Sequence, residues 1–166
     1  MSSLALLFFP AIMAWAASSD LLTMRISNKL VLLLVAGFAV MALVVQLPIE
    51  QLGMHLLAGA VVLVVAFGMF AMRWIGGGDA KLAAATTLWL GFGLTLQYLV
   101  NAALLGGLLT LAILSLRSVP LTPMIARFPW LTRLHNPKEG VPYGIALAAA
   151  GMIIYSNSAI FERLTA

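Results

Sequence analysis

The stretch RWIGGGDAKLAAATTLWLGFG, Arg73–Gly93, decides how this chain folds. From Ala80 to Leu116 the sequence is predominantly apolar, a run of 37 residues with Lys81 its one charge. One helix crosses a bilayer with about 20, so the run must break, and Gly91-Phe92-Gly93 is the natural place. The break leaves a short fourth span, 80–93, and a longer fifth, 94–116. Directly before the short span stand Gly76, Gly77 and Gly78, then Asp79, a carboxylate in an apolar setting.

Composition gives the solvent. Of 166 residues, 63% are hydrophobic and 8% charged, where a soluble domain is nearer half and a quarter. Such a chain cannot cover itself with polar groups, so it belongs in lipid. At this length one domain, 1–166, is expected. The absence of cysteine excludes disulfides, thiolate metal sites and cysteine nucleophiles. His55 and His135 lie far apart in sequence, so no metal cluster is expected. The net charge of +4 comes from short loops between apolar runs, which suits anionic headgroups of a lipid bilayer rather than nucleic acid.

Further apolar runs at 4–22, 30–47, 55–72 and 141–156 complete an all-α, polytopic fold of six transmembrane helices. The first resembles a signal-peptide core, but MSS carries no basic residue and the segment is expected to be retained as a span. Alternation puts Arg25, Lys29, Arg73, Lys81, Arg117, Arg127, Arg133 and Lys138 on one side. That is eight of the nine basic residues, and the positive-inside rule makes that side cytoplasmic. Both termini are then outside, in the periplasm. Fourteen residues cover only about 21 Å, so the fourth span is expected to start within a protein-lined cavity. Non-helical backbone at the glycines is tolerated there.

Five acidic residues exist, and three of them, Glu50, Glu139 and Glu162, fall in loops or the tail. Asp20 lies near the inner end of the first span and Asp79 heads the fourth, at matched depth. Singly, Asp20 ends a helix and Asp79 is a good N-cap. Together they suit acid–base chemistry. Two close carboxylates share a proton, so one activates water while the other polarises a carbonyl. A rival use is an ion or proton relay in a small transporter, and a third reading is an assembly subunit without chemistry. A relay favours carboxylates spread across depth, and these two share one level.

The motif GGGDAKL, 76–82, fits the G-x-G-D pattern of intramembrane aspartyl proteases and most resembles the type IV prepilin peptidases. RISN, 25–28, resembles the Ile-Pro-Asn that follows the family's first catalytic aspartate, and TTLWLG, 86–91, and VPYG, 141–144, agree as well. The resemblance runs from about Asp20 to Gly151. It implies that Asp20 and Asp79 are the catalytic pair of an endopeptidase removing the leader from a prepilin at the cytoplasmic face of the bacterial inner membrane. It implies no cofactor and no metal. The substrate is implied to be a basic leader joined to an apolar helix already in the bilayer, with pilus-assembly machinery as a further partner. Larger members carry a cysteine-containing insertion linked to N-methylation. This chain has neither, so it resembles the small, peptidase-only form of Flp (tight-adherence) pili. Ser27 stands where the family has proline.

Around this pair, Gly76, Gly77 and Gly78 are expected to let a substrate backbone approach Asp79. Lys81 is expected to snorkel to the interface, Asn28 and Ser27 to cap the second span, and either Lys81 or Asn28 to have at most a minor role. His55 is expected at the outer interface, and Gly144, Ala148 and Gly151 in close helix packing. The basic loop 117–140, with Pro120, Pro123, Pro129, Pro137, Phe128 and Trp130, is expected on the membrane surface, with a lid over the aspartates as the sharper alternative.

Overall fold

The computed structural model describes residues 2–120 and 127–165. It is all-helical over those residues, in the order α1 (Ser2–Thr23), α2 (Asn28–Val44), α3 (Ile49–Ala71), α4 (Gly77–Leu90), α5 (Phe92–Arg117), α6 (Pro129–His135), α7 (Tyr143–Tyr155) and α8 (Ala159–Thr165). Helices stand at all six positions where spans are expected, with shifted ends. Three of them, α1, α3 and α5, are long and apolar enough to cross a bilayer. A fourth qualifies if α7 and α8, bent by 48° at their junction, count as one span. The shorter α2 is apolar as well. Large apolar side chains such as Leu32, Val64, Phe67, Leu96, Leu104 and Leu111 are exposed on α2, α3 and α5. So broad an apolar surface requires lipid around it.

The short α4 is the axis of the bundle. Ala80, Leu82, Ala83, Ala84, Ala85, Thr86 and Thr87 are all buried, and a helix buried all round has no need of a polar face. It packs on α3, α7, α2 and α5. Small side chains let these neighbours approach closely. At Gly59 of α3, a Cβ would lie 2.7 Å from Leu88. The chain leaves α4 through Gly91, at φ 77° and ψ 171°, a region open essentially to glycine alone.

The half of the core away from Asp79 is aromatic. Phe9 lies 5.2 Å from Trp89 and 4.6 Å from Tyr155 between ring centroids, and the buried Trp89 indole N–H donates to the Leu34 carbonyl at 3.0 Å. His55 is buried here beside Gly91 at the end of α4: it stacks on Phe38 and its Nδ1–H donates to the Leu88 carbonyl at 2.6 Å. Helix α4 leaves its last carbonyls without intrahelical partners, and a histidine one helix away supplies a donor.

Two elements were not foreseen, α6 within the basic loop and α8 after the last span. Arg117 ties α6 down. Its Nε donates to the Leu134 carbonyl, and its Nη2 to the carbonyls of Glu139 and Gly140. Pro123 of the expected loop lies outside the described residues.

Candidate active site

The register of three helices brings the carboxylates together. Gly151 of α7 packs against both Thr86 of α4 and Met13 of α1, and a Cβ there would lie 3.0 Å from Thr86 Cγ2 and 3.5 Å from Met13 Sδ. These three residues form one layer. Seven positions toward the basic end, just under two turns on the same helix face, the same helices reach Asp79, Asp20 and Gly144. Gly144 Cα–H therefore faces Asp20, and the Gly144 N–H donates to Asp20 Oδ2 at 2.8 Å. That N–H belongs to the first turn of α7, where backbone donors lack intrahelical partners. Gly144, expected only as a packing residue, holds the carboxylate.

Asp79 is held by its own helix. The N-cap of α4 is Gly76, in extended conformation at ψ 145°, and not Asp79, which is the third helical residue. From that position its carboxylate turns back over the Gly76 backbone, within reach of the Gly76 N–H. This is the reciprocal half of a capping box. A Cβ on Gly76 would lie 2.8 Å from Asp79 Oδ2, so the site needs glycine there. Gly77 and Gly78 are helical, which corrects the expectation of non-helical backbone. Their missing side chains make room for protein neighbours. A Cβ would lie 3.1 Å from the Phe70 ring at Gly77 and 3.2 Å from Ile26 at Gly78.

Ile26 is the residue that sequence reasoning passed over. It sits between Gly78 of α4 and Gly144 of α7, where a Cβ would come within 2.8 Å of its Cδ1. The turn that returns it to the bundle starts at Met24, φ 54°. Ser19 and Thr23 hydroxyls then grip the Arg25 carbonyl at 2.9 and 3.2 Å. Ser27 follows at φ −71°, the value a proline ring imposes. Its side chain also accepts the Leu30 N–H, so serine keeps the geometry and adds the expected cap. Asn28 opens α2, and its Oδ1 accepts from Lys81 Nζ at 2.9 Å. The two residues expected to have minor roles thus bridge α2 and α4 beside the site.

Asp20 and Asp79 both line a cavity of about 980 Å³ that opens at the basic end. Its walls include Arg25, Arg73, Gly76, Gly78 and Tyr143, and Glu139 and Gly140 border it from the segment after α6. Arg133 of α6 donates to the Leu22 carbonyl at 2.8 Å, close to Asp20 along α1. Among the described residues no three His, Cys, Asp or Glu side chains gather as metal ligands. What the cavity offers is a carboxylate pair, backbone donors and room for an extended peptide.

Fold and site together define a helical membrane protein that presents two carboxylates, from different helices, in a polar cavity at one end of its bundle. The sequence profile of the type IV leader peptidase family matches residues 7–111. The chain belongs to that family and is a membrane-embedded protease of the leader-peptidase kind. The matched region holds both aspartates and ends within α5, before α6 and Gly144. Neither a search of curated proteins nor one of solved structures gave a match.

Proposed function

We propose that this chain is an intramembrane aspartyl endopeptidase that removes the leader from Flp-type prepilins at the cytoplasmic face of the inner membrane, with Asp20 and Asp79 as its catalytic pair. The observation that carries the reading is the shared cavity: two carboxylates from α1 and α4 line one space of about 980 Å³ at the basic end. In the reaction, one carboxylate takes a proton from water as the water oxygen attacks the scissile carbonyl carbon. The other, protonated, gives its proton to the carbonyl oxygen. Collapse of the tetrahedral intermediate breaks the C–N bond and the departing amine takes up a proton. Two groups that titrate as a pair can exchange roles in the second half.

The Gly144 N–H fixes the direction of the Asp20 carboxylate, and the Asp79 carboxylate packs against the Gly76 backbone. Fixed direction is what turns proximity into rate. We place six spans across the bilayer with both termini in the periplasm. This arrangement puts the basic end and the cavity in the cytoplasm. The lack of cysteine supports a peptidase without N-methyltransferase activity. A transporter relay is the weaker reading, because the register argument sets both carboxylates at one level.

The test is cleavage of a prepilin by purified protein, with Asp20→Asn, Asp79→Asn and the double variant alongside. Each single variant should fall to background and the double no lower, since residues acting as a unit are not additive. Retained cleavage by either single variant would refute the pairing. Incubation with S-adenosylmethionine should leave the new N-terminus unmethylated by mass.

A further inference from the structure

A second cavity, about 590 Å³ and almost wholly apolar, lies between α3 and α5 with Ala83 of α4 among its lining residues. Its α3 wall runs from Ala58 to Met69 and its α5 wall from Phe92 to Ala103. Each wall is about three helical turns, or roughly 16 Å, long. Both walls carry small residues, Ala58 and Ala66 on one side and Ala102 and Ala103 on the other. Val65 and Leu96, also lining it, are exposed, so the groove opens sideways to lipid.

What distinguishes this groove from other lipid-facing furrows is where it leads. Asp79, Trp74, Ile75 and Tyr143 line both it and the polar cavity. Asp79 is the one charged residue on the groove, and it stands at the junction. Tyr143 is held there by its hydroxyl, 3.0 Å from Thr110 Oγ1, and by its ring, which fills the space a Cβ on Gly106 would take.

We propose that the groove between α3 and α5 is the docking site for the substrate's transmembrane helix, and that it delivers the inner end of that helix to Asp79. The proposal rests on the peptidase reading of the adjoining cavity. Several features select a helix as occupant. Alanines on both walls, Ala58 and Ala66 facing Ala102 and Ala103, admit a helix backbone closely at those points, and packing, not hydrophobicity, drives helix association in lipid. The groove ends at a carboxylate, where an acyl chain has nothing to offer and a peptide brings backbone amides. The segment beyond the helix then passes Tyr143 and Trp74 into the polar cavity, whose size suits an extended chain. In this arrangement the groove sets the register of cleavage: the bond cut is the one that reaches Asp79 when the apolar helix is seated.

The natural absence of cysteine makes a direct test available. Single cysteines are placed on the groove, Val65→Cys and Leu99→Cys, and on exposed apolar positions off it, Val64→Cys and Leu104→Cys, in an Asp79→Asn background that holds substrate uncleaved. The probe is a synthetic peptide with a lysine-bearing leader and an apolar helix, carrying one cysteine scanned through successive helix positions, in lipid vesicles. Disulfides should form at 65 and 99 from one face of the peptide, with helical periodicity, and not at 64 or 104. Equal or absent crosslinking at all four positions would overturn the proposal and leave the groove to lipid. In cysteine-free protein with both aspartates intact, Ala103→Phe should raise KM at least tenfold for the helix-bearing peptide. It should leave cleavage of a short peptide spanning the scissile bond unchanged. If the wild type cleaves but crosslinking is flat and Ala103→Phe has no effect, the groove fails alone. If the wild type does not cleave and crosslinks still form at 65 and 99, the peptidase reading fails and the groove stands.

Discussion

Replacing Gly144 by alanine tests the architecture of the site with one methyl group. The added Cβ would lie 2.7 Å from Asp20 Oδ2, 2.8 Å from Ile26 Cδ1 and 3.0 Å from Asp20 Cβ. None of these neighbours is free to retreat. Asp20 is buried in the middle of packed helices, and Ile26 is wedged against Gly78 on its other side. Overpacking of this kind costs about 1–3 kcal/mol. The methyl also pushes the carboxylate off the Gly144 N–H, a 2.8 Å bond of a class that contributes about 1.5–3 kcal/mol when its acceptor is ionised. A displacement of about 1 Å in a catalytic group costs roughly a hundredfold in rate. Gly144→Ala should therefore lower kcat about a hundredfold and reduce thermal stability by about 1–3 kcal/mol. Both are measured in detergent, with cleavage assayed well below the unfolding midpoint. Gly107→Ala is the matched control, since a Cβ there meets nothing within 4 Å. In a helix interior that change is neutral or stabilising by up to about 1 kcal/mol. If Gly144→Ala cleaves and unfolds like Gly107→Ala, Gly144 does not hold Asp20 and the register argument is wrong.

Two further perturbations probe the frame behind the site. Gly91→Ala puts a side chain on backbone that only glycine adopts readily and drives its Cβ to 2.9 Å from His55 Nε2. The expected loss is about 2–4 kcal/mol, read by thermal unfolding, and a neutral result would show that α4 and α5 meet differently. Trp89→Phe deletes the donor to the Leu34 carbonyl and opens space in the aromatic cluster. It should cost about 1–3 kcal/mol while leaving KM unchanged, because Trp89 lies at the far end of α4 from Asp79. A change in KM without loss of stability would contradict that separation.

Much of this was legible in the chain. Period-free apolar runs and glycine breaks marked where the principal helices lie, because lipid demands that every backbone polar group be paired within its own helix. The restriction is severe enough to read from composition. The placement of charge singled out Asp20 and Asp79, since an acid in an apolar run is costly and conspicuous. The family pattern around GGGD agreed, and the profile match carries that agreement to the level of family. The helix at Pro129–His135 was less legible: a seven-residue helix gives little periodicity.

What no linear reading supplied is register. The sequence by itself determined that two carboxylates sit near the basic end. Only tertiary packing, through the Met13–Thr86–Gly151 layer, decided that α1 and α4 turn Asp20 and Asp79 into one cavity and that α7 brings Gly144 onto Asp20. The same holds for the glycines. Their number is evident in the sequence, but their purpose depends on which neighbour fills each gap: Asp79 itself at Gly76, Phe70 at Gly77, Ile26 at Gly78 and Asp20 at Gly144. His55 is buried for a similar reason, because the free carbonyl at the end of α4 comes within its reach only once α3 lies beside α4. A sequence states which groups must be satisfied, and the fold decides by which partners, since those partners lie tens of residues away and meet only when the helices pack.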